Sequence, residues 1–259
     1  CGNYYYNCNS TAVGTEGCSG KNITTERWTG VNCSESINRF SLKNLVTTID
    51  LNNRQLTGTI PPEIGYLSGL KELDLSQNQL TGSIHTDWMC DSLFELSMLR
   101  LDDNSLSNSI PHCIGNLTQL ADLRLSNNQL TSVVPYSVAN LTLLTELDLS
   151  NNLLTGSFPL AIFYMPRMTS IKAHDNLLTV LPNRGNGDPA ETPGGWGGNI
   201  DYLTYLDFSN NQIASNILAE GTWSVWMPQL ITLYLYNNQM TGNINSTISD
   251  FYKLEDLRA

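Results

Sequence analysis

Residues 120–159 state one pattern twice. Leu123, Leu125, Asn128 and Leu130 return as Leu147, Leu149, Asn152 and Leu154, each 24 residues on. A fixed period of this length leaves few architectures open. A unit that cannot bury its apolar face alone must stack on copies of itself, which makes a solenoid. The central apolar position recurs at Ile49, Leu73, Leu99, Leu123, Leu147, Ile171, Leu206, Leu233 and Leu257, with spacings of 24, 26, 24, 24, 24, 35, 27 and 24. At each, apolar–x–apolar puts two side chains on one face of a short strand and the middle one on the other. Parallel strands about 4.8 Å apart predict a sheet roughly 38 Å long. Because the connections are longer than the strands, the sheet curves and becomes the concave face.

Five residues after the central position stand Asn78, Asn104, Asn128, Asn152, Asn176, Asn211 and Asn238, with Arg54 in the first coil. An amide buried there satisfies backbone groups of the turn that leaves the strand. The motif L-T-G-x-I follows, cleanest at residues 56–60 and 80–84, with near copies at 154–159 and 240–244. Its glycine permits a turn, and a proline just beyond stops strand pairing.

The unit L-x-x-L-x-L-x-x-N-x-L resembles the leucine-rich repeat, and its L-T-G-x-I-P extension resembles the plant-type class. Trp28, Gly30, Val31 and Cys33 are similar to the W-x-G-V-x-C close of the amino-terminal cap in plant extracellular leucine-rich repeat proteins. Glu26 stands where that family usually carries a cysteine. The expected fold is a leucine-rich repeat solenoid, an α/β-type superhelix with a concave sheet of short parallel strands and an irregular or 3-10 convex side. Residues 1–45 form a disulfide-stapled cap, and residues 46–259 hold eight full repeats and the start of a ninth. The resemblance extends to the ectodomains of receptor-like kinases and receptor-like proteins and to polygalacturonase-inhibiting proteins. It implies non-catalytic binding of a protein, a peptide or a cell-wall glycan.

A net charge of -11 argues against nucleic acid and anionic membrane surfaces. No apolar run is long enough to span a bilayer. The chain opens on Cys1 without a signal peptide, as a processed product would, and stops part-way through a repeat, as a piece of a longer protein would. Cys1, Cys8, Cys18 and Cys33 crowd into the cap and point to an oxidising, extracellular compartment. Cys18 is the nearest candidate for Cys33, but four cysteines allow three connectivities. Cys90 and Cys113 fall in consecutive coils, either bridged or as two buried thiols. Sequons at Asn9, Asn22, Asn32, Asn116, Asn140 and Asn245 agree with secretion and N-linked glycans. Asn116 and Asn140 share a repeat phase, so glycans there and at Asn245 would screen the outer arc and leave the strand face bare.

Two insertions interrupt the period, near residues 182–199 and 219–227. Their Trp196, Trp223 and Trp226 would form either a hydrophobic clasp over a weak joint or a contact platform. The histidines His85, His112 and His174 fall at different repeat phases. With no nucleophile elbow, no oxyanion motif and no metal-ligand spacing, neither catalysis, a metal nor a cofactor is expected.

The concave face is the better candidate. The outward position between the paired apolar residues reads Asp50, Asp74, Arg100, Arg124, Asp148, Lys172, Asp207, Tyr234 and Arg258. Two positions on, the column reads Asn52, Ser76, Asp102, Ser126, Ser150, His174, Ser209 and Tyr236. From these and Tyr205, the expected binding surface is Arg100, Asp102, Arg124, Asp148, Lys172, His174, Tyr205, Tyr234 and Tyr236, since arginine and tyrosine are favoured at hot spots. The plainer alternative is ordinary polar cover on a sheet. Two functions follow: an extracellular recognition module, or a structural, self-associating glycoprotein of a wall, sheath or filament. A third, ice binding, would need a longer flat threonine array than the sequence offers.

Overall fold

The computed structural model describes residues 31–38, 41–86, 90, 92–181, 200–214, 227–241 and 251–259, with 31–45 by backbone alone. Nine strands stack in parallel: Ser41–Asp50, Glu72–Asp74, Met98–Arg100, Asp122–Arg124, Glu146–Asp148, Ser170–Lys172, Tyr205–Asp207, Thr232–Tyr234 and Asp256–Arg258. Their register is the one that the leucine spacing predicts. Ile49 pairs with Leu73, and the series runs through Leu99, Leu123, Leu147, Ile171, Leu206 and Leu233 to Leu257. The 35-residue interval before Leu206 therefore reaches the same register as the 24-residue ones.

At the amino-terminal edge, Val31–Asn38 pairs antiparallel with Ser41–Asp50. No periodicity marks this hairpin in the sequence. Its outer arm covers an edge that the first repeat would otherwise present unpaired. Cys33 lies in this arm, whereas Cys1, Cys8 and Cys18 lie outside the described residues, and the cap's disulfide pairing with them.

The inward positions make one continuous core. Leu73, Leu99, Leu147, Ile171, Leu206 and Leu233 are fully buried, as are Leu101, Leu125 and Leu149 two residues after their own central positions. Coil six has Ala173 at that second position, and coil seven has Phe208. The small residue leaves volume beside the large one. Phe208 meets Phe158 edge-on at 5.0 Å, and Phe158 stacks on Phe163 at 5.6 Å. These rings join the regular coils to the one that follows the long interval.

The asparagine ladder works as its position predicts. Asn152 Nδ2 donates to the carbonyls of Leu149 and Ser150 in its own coil and of Leu125 in the preceding one. Its Oδ1 accepts the Leu130 N–H at 3.0 Å. Asn128, Asn176 and Asn211 repeat the pattern. In the first coil, where Arg54 replaces the asparagine, the Arg54 N–H itself donates to Asn78 Oδ1. The residue before each ladder position is left-handed, with φ between 50 and 56° from Asn53 to Asn237. Asparagine and aspartate tolerate that region best, and they fill all but Gln77.

Beyond the ladder the sequence led us to expect only a turn. The L-T-G segments instead pair into a second parallel sheet of six strands, Thr57–Thr59, Gln79–Ser83, Ser105–Ser109, Gln129–Ser132, Leu153–Ser157 and Leu177–Val180. Its partners are mostly 22 residues apart, as in Thr59 with Thr81 and Leu153 with Thr131, so rows across it mix hydroxyl, amide and leucine side chains. No unbroken threonine row forms among the described residues. Prolines then open the convex helices: Pro61, Pro111 and Pro135 precede the 3-10 helices Pro62–Tyr66, His112–Asn116 and Tyr136–Asn140, and Pro159 precedes the α-helix Leu160–Phe163. Proline presets the helical entry and gives up no needed donor there. Cys90 and Cys113 are bridged, with Cα atoms 5.1 Å apart. Trp196, Trp223 and Trp226 lie outside the described residues.

Candidate recognition face

Every expected concave residue lies on one of the nine parallel strands or at its exit. Three outward columns run across the face, not two. The residue before each central position also faces out, adding Glu72, Asp122, Glu146 and Asp256, which the sequence reading passed over. The period-two rule that selected the other columns could have found them.

These missed acids decide the state of the bases. Arg100 donates from Nε at 2.9 Å and from its second terminal nitrogen at 2.6 Å to Asp122 Oδ2, and its other terminal nitrogen lies 3.5 Å from Asp74. Arg124 reaches the second oxygen of Asp122 at 3.2 Å. Lys172 pairs with Glu146, and His174 Nδ1 sits 2.7 Å from Asp175. The hydrogen bond to Asp122 is the main reason the Arg100 pKa is raised. The middle of the face is thus internally compensated.

Some aspartates serve the turn. Asp148 Oδ1 accepts both the N–H and the hydroxyl of Ser150, at 3.0 and 2.6 Å. Asp74 with Ser76 and Asp207 with Ser209 repeat this geometry. Asp102 reverses the order, since its coil carries Arg100 at the first position. Asp102 Oδ1 is buried without a hydrogen-bond partner. Burial is the leading cause that pushes this carboxyl above the ordinary value.

The last three coils differ in kind. Tyr205 and Tyr234 meet edge-on at 5.9 Å, and Tyr234 and Tyr236 lie tilted at 6.2 Å. The Tyr234 hydroxyl donates to Asp256, and the Arg258 guanidinium lies 4.7 Å above the Tyr234 ring while also pairing with Asp256. Tyr205 donates to Asp207 at 3.5 Å. Burial, followed by the Asp207 charge, pushes its phenol up to about 12. The hydrogen bond to Tyr234 holds the Asp256 carboxyl below its usual value and raises the Tyr234 phenol. Two rings are therefore fixed at their tips, neutral and preorganised. Tyr236 makes no such bond.

A family profile described as Leucine Rich Repeat matches residues 45–67, 69–90 and 202–223, and a second matches 94–154 and 118–178. The LRR ectodomain of the receptor kinase SOBIR1 from Arabidopsis thaliana is 34% identical, with a TM-score of 0.55 over 59% of this chain and 84% of that one. This chain belongs to the leucine-rich repeat family. It is also similar to the Arabidopsis receptor kinase HAESA, solved with the peptide hormone IDA and the co-receptor SERK1. Identity there is 27% and the TM-score 0.65, over 81% of this chain and 32% of HAESA. A probable LRR receptor-like serine/threonine-protein kinase of Arabidopsis thaliana is 37% identical over 90 residues, which is 35% of this chain and 9% of that relative. The leucine-rich repeat chain thus resembles plant receptor-kinase ectodomains while spanning a small part of those curated relatives.

In this leucine-rich repeat protein, sequon residues Asn116 and Asn140 are exposed at the last positions of consecutive convex 3-10 helices. Asn116 Nδ2 donates to the Cys90 carbonyl at 3.2 Å. Asn32 lies in the outer hairpin arm, and Asn9, Asn22 and Asn245 fall outside the described residues. No helix among the described residues is long and apolar enough to cross a membrane.

Proposed function

We propose that this protein is an extracellular recognition module that binds a protein or peptide partner on its concave face and performs no chemistry of its own. The observation that carries this reading is the preorganised cluster of Tyr205, Tyr234, Tyr236 and Arg258, on a face whose Arg100, Arg124 and Lys172 are already paired with acids. Rigid aromatic side chains bind at low entropic cost, and tyrosine and arginine dominate binding hot spots. Similarity to an ectodomain solved with a peptide hormone supports the same assignment. Glycans at Asn116 and Asn140 would coat the convex side and leave the strand face open.

The test is a glycan placed on that face. Lys172→Asn with His174→Thr creates a sequon across the sixth strand. Cell-surface proteins cross-linked by the secreted wild type should be lost with this variant and kept when Asn140 is removed by Asn140→Gln. An unchanged captured set would overturn the concave assignment. Capture of only further copies of the chain would favour the wall or filament subunit instead.

A further inference from the structure

Charge divides the concave face. In the first five coils, Arg100 and Arg124 are taken up by Asp74 and Asp122, and Glu146 is taken up by Lys172 of the sixth. Among the described residues this leaves Asp50, Glu72, Asp102 and Asp148 on the same coils outside any ion pair, with the Arg124 charge still acting on Asp102. Asp50, Glu72 and Asp148 each keep an oxygen outside the local bonds: Asp148 and Asp50 spend Oδ1 on Ser150 and Asn52, and Glu72 spends Oε2 on Thr48. In the last coils the acids are consumed. Asp207 is held by Ser209 and Tyr205, and Asp256 by Tyr234 and Arg258. What remains there is the half-buried Tyr205, Tyr234 and Tyr236 beside the exposed Arg258, and the outward columns of the first six coils carry no phenylalanine, tyrosine or tryptophan.

Resting on the recognition reading above, we propose that the partner is an extended basic peptide segment lying across the strands. Its lysine or arginine side chains face the first five coils, and its apolar end seats on Tyr205, Tyr234 and Tyr236. Complementarity fixes the sign: an acidic segment would meet uncompensated carboxylates along most of its length, where like charges are costly. The dimensions agree. From the Asp50 strand to the Tyr234 strand there are seven inter-strand steps. At about 4.8 Å each they span roughly 34 Å, the length of about ten residues of extended chain. Tyr236, whose hydroxyl makes no hydrogen bond among the described residues, is the ring best able to adjust to the apolar anchor.

The probe is a display library of random peptides about 12 residues long, selected on the intact secreted chain. Enriched peptides should carry lysine or arginine toward one end and an aromatic residue or proline toward the other. Their affinity should fall at least about tenfold between about 50 mM and about 300 mM salt. The quadruple variant Asp50→Asn, Glu72→Gln, Asp102→Asn, Asp148→Asn should bind at least about tenfold more weakly, with the salt dependence flattened. These isosteric amides keep the fold, which an unchanged circular dichroism spectrum checks. Tyr236→Ala should weaken binding equally at both salt concentrations. Enriched peptides that are neutral or acidic, or that bind the quadruple variant undiminished, overturn this inference and leave the recognition reading standing. A library from which nothing is enriched overturns both.

Discussion

The side-chain amide of Asn152 donates to the carbonyl oxygen of Leu125, 3.0 Å away in the preceding coil. One buried residue thereby ties two coils and closes its own turn through Leu149 and Ser150. Asn152→Ala would strand these carbonyls and the Leu130 N–H without water. Each unsatisfied buried group costs about 1–3 kcal/mol, so the loss should be on the order of 3 kcal/mol or more. The half-buried Asn238 should cost less when truncated. Urea unfolding of the two variants checks the order; equal losses would refute the ladder's dependence on burial.

The bridge between Cys90 and Cys113 closes a loop of 23 residues across two convex turns. Replacing both cysteines by serine frees that loop in the unfolded chain and should remove about 3 kcal/mol. The thermal midpoint of the double variant, against the oxidised and the reduced wild type, gives the value. Reduced wild type should fall at least as far as the oxidised variant, since reduction also opens any bridge in the cap.

Gly115 marks a close approach between neighbouring convex helices. A Cβ there would lie 2.4 Å from the Ser137 carbonyl oxygen, an atom that cannot rotate away. Gly115→Ala must push the helices His112–Asn116 and Tyr136–Asn140 apart, with overpacking of this kind costing about 1–3 kcal/mol. Hydrogen exchange should show lost protection at both helices. A midpoint equal to wild type would contradict the contact.

Asp102 gives a pH signature. Its folded carboxyl holds a proton above the ordinary value of 3.8, because burial disfavours the charge more than a backbone hydrogen bond favours it. Between that value and its raised one, the folded state binds more protons than the unfolded state. Stability from this group is therefore complete below 3.8 and declines as pH rises through the folded value. Asp102→Asn should raise the unfolding midpoint at pH 7 and leave it unchanged in acid below the ordinary aspartate range. A variant less stable than wild type at neutral pH would show that the carboxylate has found a partner.

How much could be read beforehand followed from periodicity. Ile49 through Leu257 and the asparagines repeat at fixed phase, and each has one mechanical duty, so register and ladder were legible. The hairpin arm Val31–Asn38 has no echo in the repeats and serves only to cover an edge. The strands of the second sheet carry glycine and hydroxyl residues, as in Gln79–Ser83, whose composition reads as turn. Pairing between coils, not propensity, makes them strands. At the candidate face, Tyr234 and Tyr236 were visible in the outward columns, but the neutralisation of Arg100 was not. It depends on Asp122, which lies 22 residues away in the next coil and in the column that was skipped.

Ile171 meets Leu206 in the same register in which Leu147 meets Ile171, although 35 residues separate the first pair and 24 the second. Contour length between strands is thus decoupled from the aim of the inner side chains. A lineage, or an engineer, can graft cargo such as an epitope or a protease site into that interval while the partner-facing geometry is inherited untouched.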